Sequence, residues 1–226
     1  GGAAREKLRE FGELLRGQAA TWGLIGFGPD AVDEQIERSL LLLEVLGRPE
    51  RLVDVGSGAG LPGIPLMIAV GNGVLVEPRR KAAAFLEGAI RRLDLPGSVF
   101  VGTAEDAGRG SLREWGDAVV ARAVGSPAVA AELCSPLCAP GGMVLLTASP
   151  EAVPSDLLEG PRRALGLGPL EIRSIGPRGP TGPTEAVLGR NSGEIQQRVL
   201  MMKKVAPTPS EFPRRPGTAR RRPMGS

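Results

Sequence analysis

The chain has 226 residues, with 28 Lys and Arg against 25 Asp and Glu, two cysteines and no histidine. That length suits one α/β folding unit with appendages. With no histidine and only Cys134 and Cys138 as thiols, zinc in its usual ligand sets is excluded and no metal is expected. No apolar run reaches about 18 residues, which excludes a membrane-spanning helix and makes a cytoplasmic, monomeric protein with no membrane partner the expectation.

Residues 3–20 (AAREKLREFGELLRGQAA) set Leu8, Phe11, Leu14 and Leu15 at helical spacing with charges between them. A second helix is expected over 32–46, and together the two make an N-terminal helical cap over residues 1–48. From residue 51 the rhythm changes. Strands are expected at 51–55, 74–77, 98–102, 117–121 and 142–147, and helices at 62–70, 79–93, 127–138 and 151–165. Cys134 and Cys138, four apart on the third of these helices, read as two small core residues. LEIRSIG and RVLMMKK read as two further strands, separated by a segment whose Gly/Pro/Thr-rich part, Gly176 to Thr184, is expected to be a loop. The strands LVDV, VLV, AVVA and MVLL are apolar on both faces, which calls for a parallel sheet covered by helices on both sides. The fold class is therefore α/β, a Rossmann-like doubly wound sheet over residues 49–205.

After Val205 the chain turns Pro/Arg-rich, and a basic tail with little regular structure is expected over 206–226. Lys203, Lys204, Arg214, Arg215, Arg220, Arg221 and Arg222 stand there against Glu211 alone, on an otherwise mildly acidic body. Such a tail favours a polyanion, because each arginine on a phosphate releases a counterion. A solvated, disordered tail is the alternative, and truncation after Val205 is expected to spare the main site.

That site is marked by residues 52–63, LVDVGSGAGLPG, an apolar strand ending on Asp54 and breaking into a glycine-rich turn. In doubly wound sheets ligands bind beyond the carboxyl ends of the strands. Asp54, Gly56, Gly58 and Leu61 follow the first strand, Glu77 closes the second, Ala104 and Glu105 follow the third and Arg122 the fourth. Glu77 lies 21 residues after Gly56, where a carboxylate reaches a ribose diol. Gly58, Gly60 and Gly63 also satisfy a dinucleotide fingerprint. However, Pro62 and Pro65 sit where the phosphate-cradling helix would start, and Gly63 is only 14 residues from Glu77, short of the usual ~20. Asp54 before Gly56 fits a cationic sulfonium cofactor with an amino-acid tail, S-adenosyl-L-methionine, better than a nicotinamide or flavin.

The runs DVGSGAGLPGIPLMIA, EPRRKAAAFLE, TAED and ARAV, with the RVLMMKK strand and the EFPRRPGTARRRP tail, resemble the bacterial 16S rRNA guanine-N7 methyltransferases, also called glucose-inhibited division protein B. The resemblance implies a class I S-adenosylmethionine-dependent methyltransferase fold and methyl transfer to N7 of a guanine in 16S rRNA or the small ribosomal subunit. It carries cofactor contacts onto Gly56, Leu61, Ala104, Glu105 and Arg122, with Glu77 at the ribose. Arg122 is the candidate catalytic residue, with an ion pair to Glu105 or Asp117 as its alternative role. Arg214 and Arg215, stiffened between prolines, are the candidates for RNA contact. The chain departs from the family pattern at TWGLIGFGPD, at Ser39 and Leu41 to Leu43, and at Ala148 and Ser149. A relative that binds cofactor and RNA without transferring methyl, or one with another acceptor, is the alternative reading.

Overall fold

The computed structural model describes residues 2–148, 159–176 and 195–225. Its N-terminal helix α1 (Gly2–Leu14) continues through a π-helical turn at Leu15–Ala19. The expected second helix divides at Leu42 into α2 (Val32–Leu41) and α3 (Leu43–Leu46). Next come β1 (Leu52–Val55), α4 (Gly63–Val70), β2 (Gly73–Glu77), α5 (Arg80–Arg92), β3 (Gly97–Val101), α6 (Ala104–Arg109) and β4 (Gly116–Ala121). The described chain is completed by α7 (Pro127–Cys134), β5 (Cys138–Ala148), α8 (Glu159–Ala164), β6 (Leu167–Ile175), β7 (Gln197–Lys204) and α9 (Thr218–Arg221). The first part of the helix expected at 151–165, and the loop after Gly176, lie outside the described residues.

The seven-stranded sheet runs in the order β3-β2-β1-β4-β5-β7-β6. Strands β1 to β5 are parallel and β7 is antiparallel between β5 and β6. The order reverses between β1 and β4, so a crevice opens above their carboxyl ends.

Side-chain alternation decides which layer each residue feeds. Leu52, Leu75, Ala118, Val120 and Leu145 face a core filled from α1, α2, α4 and α5 by Phe11, Leu15, Ile36, Leu40, Ile64, Met67 and Phe85. Val53, Val55, Val74, Val76, Val119 and Val144 face the opposite core, filled by Ala131, Leu133, Cys134 and Ala219. The N-terminal helices thus share a core with one face of the sheet.

Two sequence expectations are corrected here. Cys134 and Cys138 do not share a helix: α7 ends at Cys134, a 3-10 turn follows, and Cys138 opens β5. Pro136 inside that segment lacks the N–H a continuing helix requires. Both are buried free thiols as expected of core residues, and burial pushes the Cys138 thiol up to about 12, which keeps it protonated and inert.

The tail is the larger correction. It has little regular structure, as expected, with α9 its one helix among the described residues, but it is a strap docked on the body rather than a solvated tail, with Ala219 2% exposed. Lys204, fully buried, points its ammonium at Glu114 Oε1 (3.3 Å), the Ser135 carbonyl (3.1 Å) and the Thr208 hydroxyl. Burial lowers the Lys204 pKa while Glu114 opposes that shift. Arg113 donates to the carbonyls of Thr208 and Phe212, and Arg109 to that of Pro213 (2.8 Å). Removing one member of a buried charge network leaves the other uncompensated. Lys204→Met should therefore cost about 3 kcal/mol, read as a lower urea midpoint at unchanged slope.

Candidate functional site

The glycine turn is held in shape by two buried carboxylates. Asp54 Oδ2 accepts from the backbone N–H of Gly63 at 3.0 Å, and the Ser57 hydroxyl donates to the Asp54 carbonyl at 2.9 Å. Gly63 opens α4 so close to β1 and β2 that any side chain there would strike Asp54 and Leu75. Gly56 has φ +71, and a Cβ at that position would sit 2.6 Å from Val124 Cγ1. Glu77, 2% exposed, accepts from the Gly58 N–H (2.8 Å) through Oε2, and from the Arg79 N–H (3.0 Å) and Nε (2.9 Å) through Oε1. A carboxylate has about four lone-pair directions, so Glu77 retains capacity for a ligand hydroxyl.

Three cavities meet above these strand ends. One of about 440 Å³ is lined by Gly56, Glu77, Pro78, Arg79, Thr103, Ala104, Glu105, Ala123, Val124, Gly217 and Arg220, among others. A second, about 260 Å³, runs between the turn (Gly56 to Ala59, Leu61) and the N-terminal loop Leu24 to Phe27, with Arg79, Arg122 and Ala123 at its edge. A third, about 390 Å³, lies beyond Arg122 and is lined by Val124, Gly125, Pro127, Leu146, Thr147 and Leu200 with neighbours. Ala123 borders all three, at φ +57, a conformation that costs a non-glycine residue about 1 kcal/mol.

The sequence-derived residues therefore converge. Gly56, Glu77, Ala104 and Glu105 line the largest cavity, and Gly56, Gly58, Leu61 and Arg122 the one under the N-terminal loop. Asp54 lines none of the three and acts from beneath, through Gly63. Arg122 pairs with neither Glu105 nor Asp117. Asp117 takes Arg51 (3.0 Å), Glu105 takes the Gly217 N–H, and Arg122 donates to Gln35 Oε1 at 2.9 Å. Burial lowers the Arg122 pKa, and the Asp54 carboxylate acts against that.

Arg214 is committed to the protein. Its guanidinium forks onto Glu132, which is buried, through Nε–Oε1 (2.8 Å) and Nη2–Oε2 (2.5 Å), whereas Arg215 stays exposed. Sequence reasoning missed Gln35, Gly217 and Arg220. Thr103 was legible: with Asp106 it forms a capping box that starts α6, a helix the pattern T-x-x-D announces. Gly217 and Arg220 carried no such signal.

A glycine cradle that a Cβ would fill, a buried acid at the end of β2 and a cavity of about 440 Å³ bordered by the segments that follow β2 and β3 fit an adenosine-bearing cofactor. This arrangement on a 3-2-1-4-5-7-6 sheet is the class I S-adenosylmethionine-dependent methyltransferase fold. Solved structures agree on the fold, namely the tRNA (m1A58) methyltransferase TrmI of Aquifex aeolicus and an O-methyltransferase of Bacillus cereus. The first has TM-score 0.56 at 16% identity, covering 75% of this chain and 69% of that one. The second has TM-score 0.55 at 19% identity, covering 88% and 91%. The family model for rRNA small subunit methyltransferase G matches residues 4–152. Similar curated relatives bear the name ribosomal RNA small subunit methyltransferase G. That of Mycolicibacterium gilvum is 39% identical over 87% of this chain and 89% of its own, and that of Mycolicibacterium vanbaalenii 34% over 83% and 85%. The chain belongs to the rRNA small subunit methyltransferase G family.

Two outcomes follow from this geometry. Burial raises the Asp54 pKa from 3.8 to about 6, so folding favours its protonated form. The stability this contributes is full below the unfolded value and lost as pH rises through about 6. Asp54→Asn, which can still accept from Gly63, should gain stability relative to the parent by roughly 3 kcal/mol between pH 4 and 7; parallel urea midpoints across that range would contradict it. Glu77→Ala should weaken S-adenosylhomocysteine binding about tenfold or more, measured by calorimetry.

Proposed function

We propose that the protein transfers a methyl group from S-adenosylmethionine to N7 of a guanine in small-subunit ribosomal RNA, with the cofactor's adenosine in the cavity of Glu77 and Glu105. When bound, S-adenosylmethionine supplies an electrophilic methyl on a sulfonium. N7 of guanine carries a lone pair and no proton, so the N7–CH3 bond forms as the S–CH3 bond breaks, without a base. The observation that supports this acceptor is the cavity beyond Arg122. Among the described residues, its lining contains no carboxylate, thiol or amine, and Arg122 is its sole ionisable group. Such a wall suits a nucleophile that needs alignment rather than deprotonation.

Within that reading, Arg122 is the catalytic residue. With Gln35 holding one edge of its guanidinium, the group can donate to guanine O6 and leave N7 free for the methyl. Asp54 offsets the Arg122 charge from below, and the Ala123 bend keeps the cofactor and acceptor cavities in communication. Glu77 and Thr103 to Glu105 orient the nucleoside, while Asp54 and Gly58 keep the turn in place. Arg215, exposed on the strap, is the RNA-facing arginine of the PRRP segment.

The test is transfer of labelled methyl to small ribosomal subunits from a strain lacking this gene, with N7-methylguanine mapped by borohydride and aniline cleavage. One cleavage site is expected. Label elsewhere would remove the acceptor assignment, and no label with cofactor binding intact would favour the non-transferring reading. Arg122→Ala should lower kcat about 100-fold or more while changing cofactor affinity less, consistent with loss of one preorganised donor; an equal loss in both would make Arg122 a binding residue only.

A further inference from the structure

We infer that the C-terminal strap is part of the cofactor site, and that Gly217 and Arg220 are cofactor-binding residues. This rests on the placement of adenosine in the cavity above Glu77. The strap leaves β7 at Lys204, is secured by the Lys204, Arg113, Arg109 and Arg214 contacts, and delivers α9 to the mouth of that cavity. Gly217 and Arg220 line it directly, together with Glu77.

The chemistry at that wall is specific. Gly217 donates its N–H to Glu105 Oε1 at 2.9 Å, which fixes the rotamer of a 7%-exposed carboxylate on the nucleoside side of the cavity. With Oε1 held, Oε2 is left to accept from an exocyclic amine such as that of adenine. Gly217 turns the chain at φ +77, where any side chain would crowd Arg221. Ala219, buried against the sheet's second core, pins α9 so that Arg220 is held at the rim. Arg220 is exposed and has no ion pair among the described residues, so its planar guanidinium is available to lie over a purine face. A strap docked in this way cannot be separate from cofactor binding, contrary to the expectation from its composition.

The experiment measures S-adenosylhomocysteine affinity calorimetrically for the full chain, for Arg220→Ala, for a truncation after Pro216 and for Glu77→Ala, and follows trypsin cleavage of the intact protein. Arg220→Ala should weaken binding about fivefold, the value of one cation–π contact, and the truncation more. In the intact protein, saturating S-adenosylhomocysteine should slow cleavage after Arg220 and Arg221 severalfold while leaving cleavage after Arg9 unchanged. If Glu77→Ala weakens binding but the strap variants match the parent and the cleavage rates do not move, the strap is only structural and the inference fails. If Glu77→Ala also matches the parent, the cofactor lies elsewhere and the underlying placement fails with it. Should the truncated chain not fold, Arg220→Ala and the cleavage rates decide the matter.

Discussion

Two carboxylates placed out of water at the ends of adjacent parallel strands govern this structure. A buried carboxylate must be neutralised, paired or hydrogen-bonded. Here the backbone N–H groups of one glycine turn supply the bonds, Gly63 to Asp54 and Gly58 to Glu77. The turn is thereby drawn down between β1 and β2, α4 begins against the sheet where only glycine fits, and a cavity is left above. Asp54 keeps Oδ1 without a partner and takes a raised pKa, so the arrangement carries a cost in stability that its position under the site accounts for.

The second organising element is the placement of acid on the body relative to base on the tail. Glu105, Glu114 and Glu132 lie on α6, the turn between α6 and β4, and α7, and each receives a group from the strap: the Gly217 N–H, the Lys204 ammonium with the Thr208 N–H, and the Arg214 guanidinium. These pairings are shielded, so removing one partner leaves an uncompensated charge out of water, a larger penalty than breaking an exposed ion pair. A segment that looks like a solvated polybasic tail is in this way converted into a wall of the cavity above Glu77. Arg215 and Arg221 still point outward from it.

Much of this was legible in the chain itself. The alternation of LVDV, VLVE and AVVA, each apolar on both faces, requires a covered parallel sheet, and the spacing from Gly56 to Glu77 places a carboxylate beside the turn. What sequence could not supply was long-range pairing. Nothing local in PRRPGTARRR says that Glu132 and Glu105 await it more than 80 residues earlier in the chain, and prolines with arginines are equally compatible with a solvated tail. The destination of Arg122 was hidden for the same reason. Gln35, on a helix that precedes the sheet, becomes its partner only once α2 packs across the crevice. The helix boundary at Cys134 was misjudged because Pro136 interrupts a pattern whose apolar residues continue unbroken into β5.

The most direct measurement is a crystal structure of the complex with S-adenosylhomocysteine. The ribose hydroxyls should lie within hydrogen-bonding distance of Glu77, with adenine between Thr103–Glu105 and Gly217 and the thioether sulfur directed past Ala123 toward Arg122. A ribose away from Glu77, or a ligand seated outside the cavity above β1 and β2, would contradict the central role given to the two buried carboxylates.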